Sequence, residues 1–316
     1  MKSINEFIKR SLIFPIRNAF IHVNRLGGRF NRKVWIIGDG RSGTTWLLDL
    51  LNTNRKLELF EPFHPYVMPD SLNYKAFHYA HSLPANHALV NYFKDVFNAK
   101  LMHRRVHFNN RSLLYTDLIV KDVFASLIAP AILPHLENVK VIVVMRNPID
   151  VIKSKLTTGA RSWYWGEDLE HLADNIELAK LLTNKQKQHL KSISEAGTVA
   201  QKYALIWCLN YFILFQCLAP RSYFLLKYEN LLASPEETLL SINEFLGEGS
   251  GANWINMTKA RLRIAQKSRT DISRAFAKTK KIPNRSTIPE EEVTFISGLL
   301  DDFYLQEHYP SLNSMT

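Results

Sequence analysis

Val34 to Leu51, VWIIGDGRSGTTWLLDLL, reads as strand, tight loop and helix in immediate succession, and its reading decides the fold. Val34, Trp35, Ile36 and Ile37 form a β-branched and aromatic run suited to a buried strand, and Trp46 to Leu51 return an apolar helical face. Between them Gly38 to Gly43 supply the loop, so the helix is expected to begin near Gly43 or Thr44. Unpaired backbone N–H groups and the positive end of the helix dipole converge at such a start. A phosphate can be held there by main chain, with the hydroxyls of Ser42, Thr44 and Thr45 as further donors.

Gly38 and Gly43 have the spacing of a nucleotide-triphosphate P-loop, but Thr44 stands where that loop needs Lys, and the cation is Arg41. The string Arg41-Ser42-Gly43-Thr44-Thr45 resembles the RSGTT loop of sulfotransferases that use 3′-phosphoadenosine 5′-phosphosulfate (PAPS), above all their carbohydrate branch. The resemblance implies an α/β, P-loop-like three-layer fold with a central parallel sheet and helical insertions. It also implies PAPS as cosubstrate, 3′,5′-adenosine bisphosphate as product, and no metal.

Composition bounds the same reading. With 316 residues and 46% hydrophobic content the chain is not a disordered protein. A net charge of +11 implies an anionic partner, and a polyphosphorylated cofactor with an acidic substrate is favoured over nucleic acid. No basic run is interleaved with aromatics as a nucleic-acid groove requires. Cys208 and Cys217 read as reduced residues of an apolar helix, without metal or disulfide spacing. No segment reaches the ~18 uninterrupted apolar residues of a membrane span, and a cytoplasmic chain is expected. Ile4, Phe7, Ile8 and Leu12 fall on one helical face beside Lys9 and Arg10, so this N-terminal basic helix could pack on the domain or lie on an anionic membrane. The expected organisation is one domain over 1–316, with a basic helical extension over 1–32 and helical insertions over 69–112 and 157–197.

A second short strand is expected over Lys56 to Phe60, with Glu61-Pro62-Phe63-His64 at its carboxyl end, where ligands bind in open α/β sheets. Leu59-Phe60-Glu61-Pro62 resembles the LFEP string of the carbohydrate branch, which implies Glu61 as catalytic base. His64 is the reserve. A third strand, Leu118 to Val120, ends in Lys121-Asp122-Val123. Cytosolic aryl and steroid sulfotransferases carry Lys-Thr-His near this point, with His as base. Val123 cannot accept a proton, so the resemblance leaves that role to Glu61 and makes Lys121 a contact to the transferring group.

Val139 to Met145, VKVIVVM, suits the middle of a parallel sheet. Asn147 then reads as a helix cap and Pro148 as its first residue, which puts Ser154 about two turns in. This strand–Arg–Asn–Pro–helix unit resembles the family's 3′-phosphate site, with Arg146 and Ser154 as its contacts. Thr157 to Trp165 could form a lid or a packed surface loop. Thr198 to Leu218 reads as a buried helix and Tyr223 to Lys227 as a strand. Ser234-Pro235-Glu236-Glu237 reads as a capping box for a helix that stops at Gly247. That block resembles the family's YED helix, with Asn230 in place of Asp, and implies that Tyr228 approaches the adenine. Ser268 and Arg269 are the residues offered for the family's C-terminal basic loop. A final helix is expected over Pro289 to Tyr304. The function expected is transfer of a sulfuryl group to an acceptor hydroxyl on a carbohydrate or glycolipid. A P-loop kinase-like phosphotransferase and a non-catalytic nucleotide- or glycan-binding module remain alternatives.

Overall fold

Side chains alternate across each strand of the central sheet, and this alternation divides the interior into two cores. A computed structural model describes residues 15–52, 56–110, 112–157, 169–247 and 288–310. In β1 (Lys33–Gly38), Trp35 and Ile37 enter one core while Val34 and Ile36 enter the other. Trp35 has no solvent contact, and its ring meets Phe63, Phe93 and Phe97 at centroid distances of 5.8, 5.9 and 5.1 Å. The same division runs along the central VKVIVVM strand, where Val141, Val143 and Met145 join Trp35 while Ile142 and Val144 join Ile36. Helices cover both faces, as the three-layer expectation requires.

The elements run in order along the chain. A helix over 15–26 (α1) precedes β1, and α2 (Thr44–Leu51) comes after the glycine loop. Next come β2 (Leu57–Phe60), α3 (Ala88–Phe97), β3 (Leu118–Lys121), α4 (Ala129–Ile132), β4 (Val139–Met145) and α5 (Pro148–Thr157). Then α6 (Glu170–Ala173), α7 (Ile176–Leu181), α8 (Asn184–Ala196) and the buried α9 (Val199–Cys217) lead to β5 (Tyr223–Lys227). The chain closes with α10 (Tyr228–Ala233), α11 (Pro235–Leu246) and α12 (Glu290–Asp302). All strand pairs are parallel, in the order β2-β3-β1-β4-β5. Among the described residues no helix is long and apolar enough to cross a membrane.

The expected helix over Ile4 to Leu12 lies outside the described residues. Segment 69–112 carries one α-helix, α3, and a short 3-10 turn over Asp70–Leu72, with the rest of its described residues in turns and loops. The capping box at Ser234 is corrected, because the Ser234 side chain makes no cap bond to α11. Ser234 also terminates α10, and its N–H is already bonded to the Asn230 carbonyl at 2.9 Å. One residue joins the two helices, so its backbone takes the angles of a corner (φ −134°, ψ 67°). The expected stop at Gly247 is present, with φ of 69°.

The outer side of β2 is closed by a side chain. Asn110 accepts the Glu58 N–H at 2.9 Å and donates to the Glu58 carbonyl at 2.6 Å, as the backbone of a neighbouring strand would. Val106 takes the Phe60 N–H at 3.0 Å. The α1 helix buttresses this segment, since Asn24 bonds the Leu113 carbonyl and the Tyr115 N–H, and Arg17 bonds the His107 carbonyl.

Candidate active site

Because the strands are parallel, their carboxyl ends open on one edge, and the first residues beyond each strand gather there. Arg41 lies just past β1, Glu61 past β2, Arg146 past β4 and Tyr228 past β5, while Lys121 ends β3.

The glycine loop turns through Arg41 at φ 72° and Gly43 at φ 95°, both left-handed. Gly43 is required twice over, since a Cβ there would also sit 2.5 Å from Cδ2 of Tyr228. Among the described residues no side chain caps α2, which leaves its first-turn N–H groups open to an anion. Beneath the loop, Asp39 Oδ2 meets Lys155 Nζ at 2.6 Å, both deeply buried. Burial pushes the Asp39 carboxyl up, against the pull of Lys155. The Tyr211 hydroxyl accepts the Asp39 N–H, donates to the Val144 carbonyl at 2.7 Å and lies 3.3 Å from the Ser42 hydroxyl. Ser42 therefore turns inward, while Thr44 and Thr45 sit in the first turn of α2.

The Arg146-Asn147-Pro148 unit docks directly on this loop. Arg41 Nε donates to Ser154 Oγ at 2.9 Å, and Arg146 Nη1 donates to the Arg41 carbonyl at 3.3 Å. The Arg146 guanidinium lies 4.6 Å from the centroid of the Tyr228 ring, which is also the ring against Gly43. Arg146 Nε, although buried, meets no acceptor among the described residues. The local sequence sets this up as expected: Asn147 Oδ1 accepts the Ile149 N–H at 2.9 Å, and Pro148 opens the helix that carries Ser154. Glu229 fixes the turn by accepting the Asn147 N–H at 2.8 Å.

At the other end of the edge, Glu61 adopts φ 49°. Its Oε1 lies 2.6 Å from Lys121 Nζ and its Oε2 3.4 Å from Arg105 Nη2. Burial alone would raise this carboxyl, but Lys121, His64 and Arg105 together hold it below the usual carboxylate range. It is therefore ionised at neutral pH. Lys121 also lies 4.6 Å from the Phe60 ring centroid. His64 packs against Phe124 and Tyr66, and its Nδ1 accepts the Tyr66 N–H at 3.1 Å. Burial, assisted by Arg105, pulls His64 down to about 4, so its imidazole is neutral. Asp122 ties the segment after β2 to β3 by accepting N–H groups from Phe63, Phe124 and Ala125. Burial pushes its carboxyl up to about 7 despite these bonds.

The structure thus brings Arg41, Ser42, Gly43, Thr44, Thr45, Arg146, Ser154 and Tyr228 into one group, and Glu61, His64 and Lys121 into another along the same edge. Ser268, Arg269 and the stretch 158–165 lie outside the described residues. Sequence reasoning missed Arg105, Asp122 and the Asp39–Lys155 pair. A signal existed for Arg105 in the basic run His103-Arg104-Arg105, but nothing in it pointed to Glu61.

A family model described as "Sulfotransferase domain" matches residues 31–298. No curated protein matches the chain. Among solved structures, sulfotransferase STF9 from Mycobacterium avium is 13% identical, with 90% of this chain and 80% of that chain covered and a TM-score of 0.47. A sulfotransferase from Alicyclobacillus acidocaldarius is 12% identical, covering 88% and 95%, with a TM-score of 0.42. Retinol dehydratase, solved with androsterone and the inactive cofactor PAP, is 15% identical, covering 87% and 81%, with a TM-score of 0.45.

Proposed function

This chain belongs to the sulfotransferase domain family, whose members are PAPS-dependent transferases, and on that premise we propose that it sulfates a hydroxyl of a carbohydrate or glycolipid with Glu61 as base. The observation that carries the reading is the Arg41–Ser154 hydrogen bond, which joins the two anion-binding elements into a single cationic floor. The residues fit the cosubstrate. A buried Arg146 Nε and a helix start that meet no acceptor and no cap among the described residues suit a ligand with two separate phosphate groups. Arg41, Thr44, Thr45 and the first-turn N–H groups of α2 would hold the 5′ end, Arg146 and Ser154 the 3′-phosphate, and Tyr228 the base. We assign Ser42 to the shape of this loop through Tyr211.

Bound PAPS supplies the sulfuryl group and leaves as 3′,5′-adenosine bisphosphate. Glu61 takes the acceptor hydroxyl's proton as the new O–S bond forms, and Arg41 with the loop amides meets the charge that builds on the leaving phosphate. Lys121 keeps Glu61 ionised and lies ready to contact the group in transfer. A cytoplasmic setting is supported by Cys208 and Cys217, both free thiols. We treat 1–316 as one domain, supported by a sheet whose strands run from Lys33 to Lys227.

The test is a thermal-shift comparison of 3′,5′-adenosine bisphosphate with ATP, each with and without Mg²⁺. The expected outcome is a shift with the bisphosphate that ignores Mg²⁺. A shift seen only with Mg²⁺ and ATP would replace this reading with a phosphotransferase.

A further inference from the structure

The α1 helix buries Ile21 and Asn24, but the described residues leave its opposite side uncovered. Ile16, Val23 and Leu26 are 53%, 60% and 73% exposed. Their spacing of seven and three places them along one side of a helix. The segment that α1 buttresses continues the apolar strip. Leu113 and Leu114, about half exposed, adjoin α1 through the bond from Asn24 to the Leu113 carbonyl. Phe108, also about half exposed, is next to His107, whose carbonyl Arg17 holds. Scattered apolar side chains are ordinary on a surface, but six gathered on two adjoining segments are not.

Charge selects what would cover the strip. Residues 15–33 contain Arg17, Arg25, Arg29, Arg32 and Lys33 and no acidic residue. In the second segment Arg104 and Arg105 are exposed, and Lys100 is paired with Asp95. An apolar strip carried by two segments with more cations than anions matches an anionic bilayer surface, into which a helix lies with its apolar side in the acyl boundary and its cations among headgroups. A protein partner would have to be both apolar and uniformly acidic over the same area.

We infer that α1, together with Phe108, Leu113 and Leu114, docks this protein on an anionic lipid bilayer. The strip also leads to the acceptor end of the site, since Phe108 meets Phe60 edge-on at 5.3 Å and Phe60 lies beneath Lys121. A bilayer-resident hydroxyl, such as that of a glycolipid headgroup, is thereby delivered beside Glu61. This last step rests on the proposed function; the docking does not.

The experiment is co-sedimentation of the full chain with vesicles of phosphatidylcholine alone and of phosphatidylcholine with about one-third phosphatidylglycerol. Wild type is expected to sediment with the anionic vesicles, and less so at high salt. Val23→Glu/Leu114→Glu, at exposed positions, is expected to reduce that binding by about tenfold or more. The bisphosphate thermal shift of the same variant should be unchanged, which separates lost docking from lost folding or a lost cofactor site. Absence of wild-type binding to anionic vesicles, or equal binding by the variant, overturns the inference. So does a concentration-dependent dimer that the double variant dissolves, because the strip would then belong to a second copy of this chain.

Discussion

Lys121 and Glu61 hold each other at two points: the ammonium lies 2.6 Å from Oε1, and the Glu61 N–H donates to the Lys121 carbonyl at 2.7 Å. The backbone bond is what keeps Glu61 at its left-handed φ while the side-chain pair aims the carboxylate. Glu61→Gln preserves shape and hydrogen bonding but cannot take a proton. Turnover with labelled sulfuryl donor should fall about 10²–10⁴-fold while bisphosphate affinity is kept. His64→Ala should cost far less. Near-full activity in Glu61→Gln together with its loss in His64→Ala would transfer the role of base to His64.

Arg146→Ala should weaken 3′,5′-adenosine bisphosphate by about 1.5–3 kcal/mol, the range for hydrogen bonds to a charged group. Binding of 5′-AMP, which lacks the 3′-phosphate, should change little. Titration calorimetry that found equal losses for both nucleotides would remove Arg146 from the 3′ subsite.

The Asp39–Lys155 pair is buried on both sides, so removing one partner strands a charge. Lys155→Met should destabilise the fold by about 3–5 kcal/mol in urea denaturation, and Asp39→Asn/Lys155→Met by clearly less. A double variant as unstable as the single one would show that the two groups act separately.

Acid should destabilise this protein through His64 and His107, both held at about 4, chiefly by burial. A folded-state value below the unfolded one, near 6.5, means the contribution is complete above pH 6.5 and is lost as pH falls towards 4. Asp122 acts in the opposite sense, because its folded carboxyl keeps a proton up to about 7 and so gains stability as pH falls. Asp39 and Glu58, also raised by burial, act with Asp122, while His78, His103 and His308, also lowered by burial, act with His64 and His107, so each contribution is read from the change that a variant makes in the slope of Tm with pH. His107→Gln should lower that slope between pH 4 and 6.5, and an unchanged slope would discard His107 as a contributor.

Much of this architecture was legible because it rests on neighbours in sequence. The unbroken run Val139–Met145 is a strand at the expected bounds, and Asn147-Pro148 starts the next helix as expected. The shape of the loop between β1 and α2 was legible for the same reason, since its glycines and the start of the helix lie within a few residues. What escaped depends on the fold bringing distant residues together. Arg105 meets Glu61 only because the long connection between β2 and β3 returns past the end of β2. Lys155 meets Asp39 only because α5 lies beneath the loop of β1. Ser234 misled because its local pattern suits a cap, whereas the junction of two helices uses up its geometry.

The Asn110 side chain, bonded to both the N–H and the carbonyl of Glu58, has a consequence for behaviour in concentrated solution. An unprotected outer strand is a template on which another unfolded or partly folded chain can pair and start an aggregate. Here the Asn110 amide and the Val106 carbonyl occupy groups that an incoming strand would need. The protection is chemical as well as steric, and it lasts only while the 106–110 segment is in place. Heating or mutation that released this segment would expose a pairing edge before the two cores had melted, so loss of solubility would precede loss of fold.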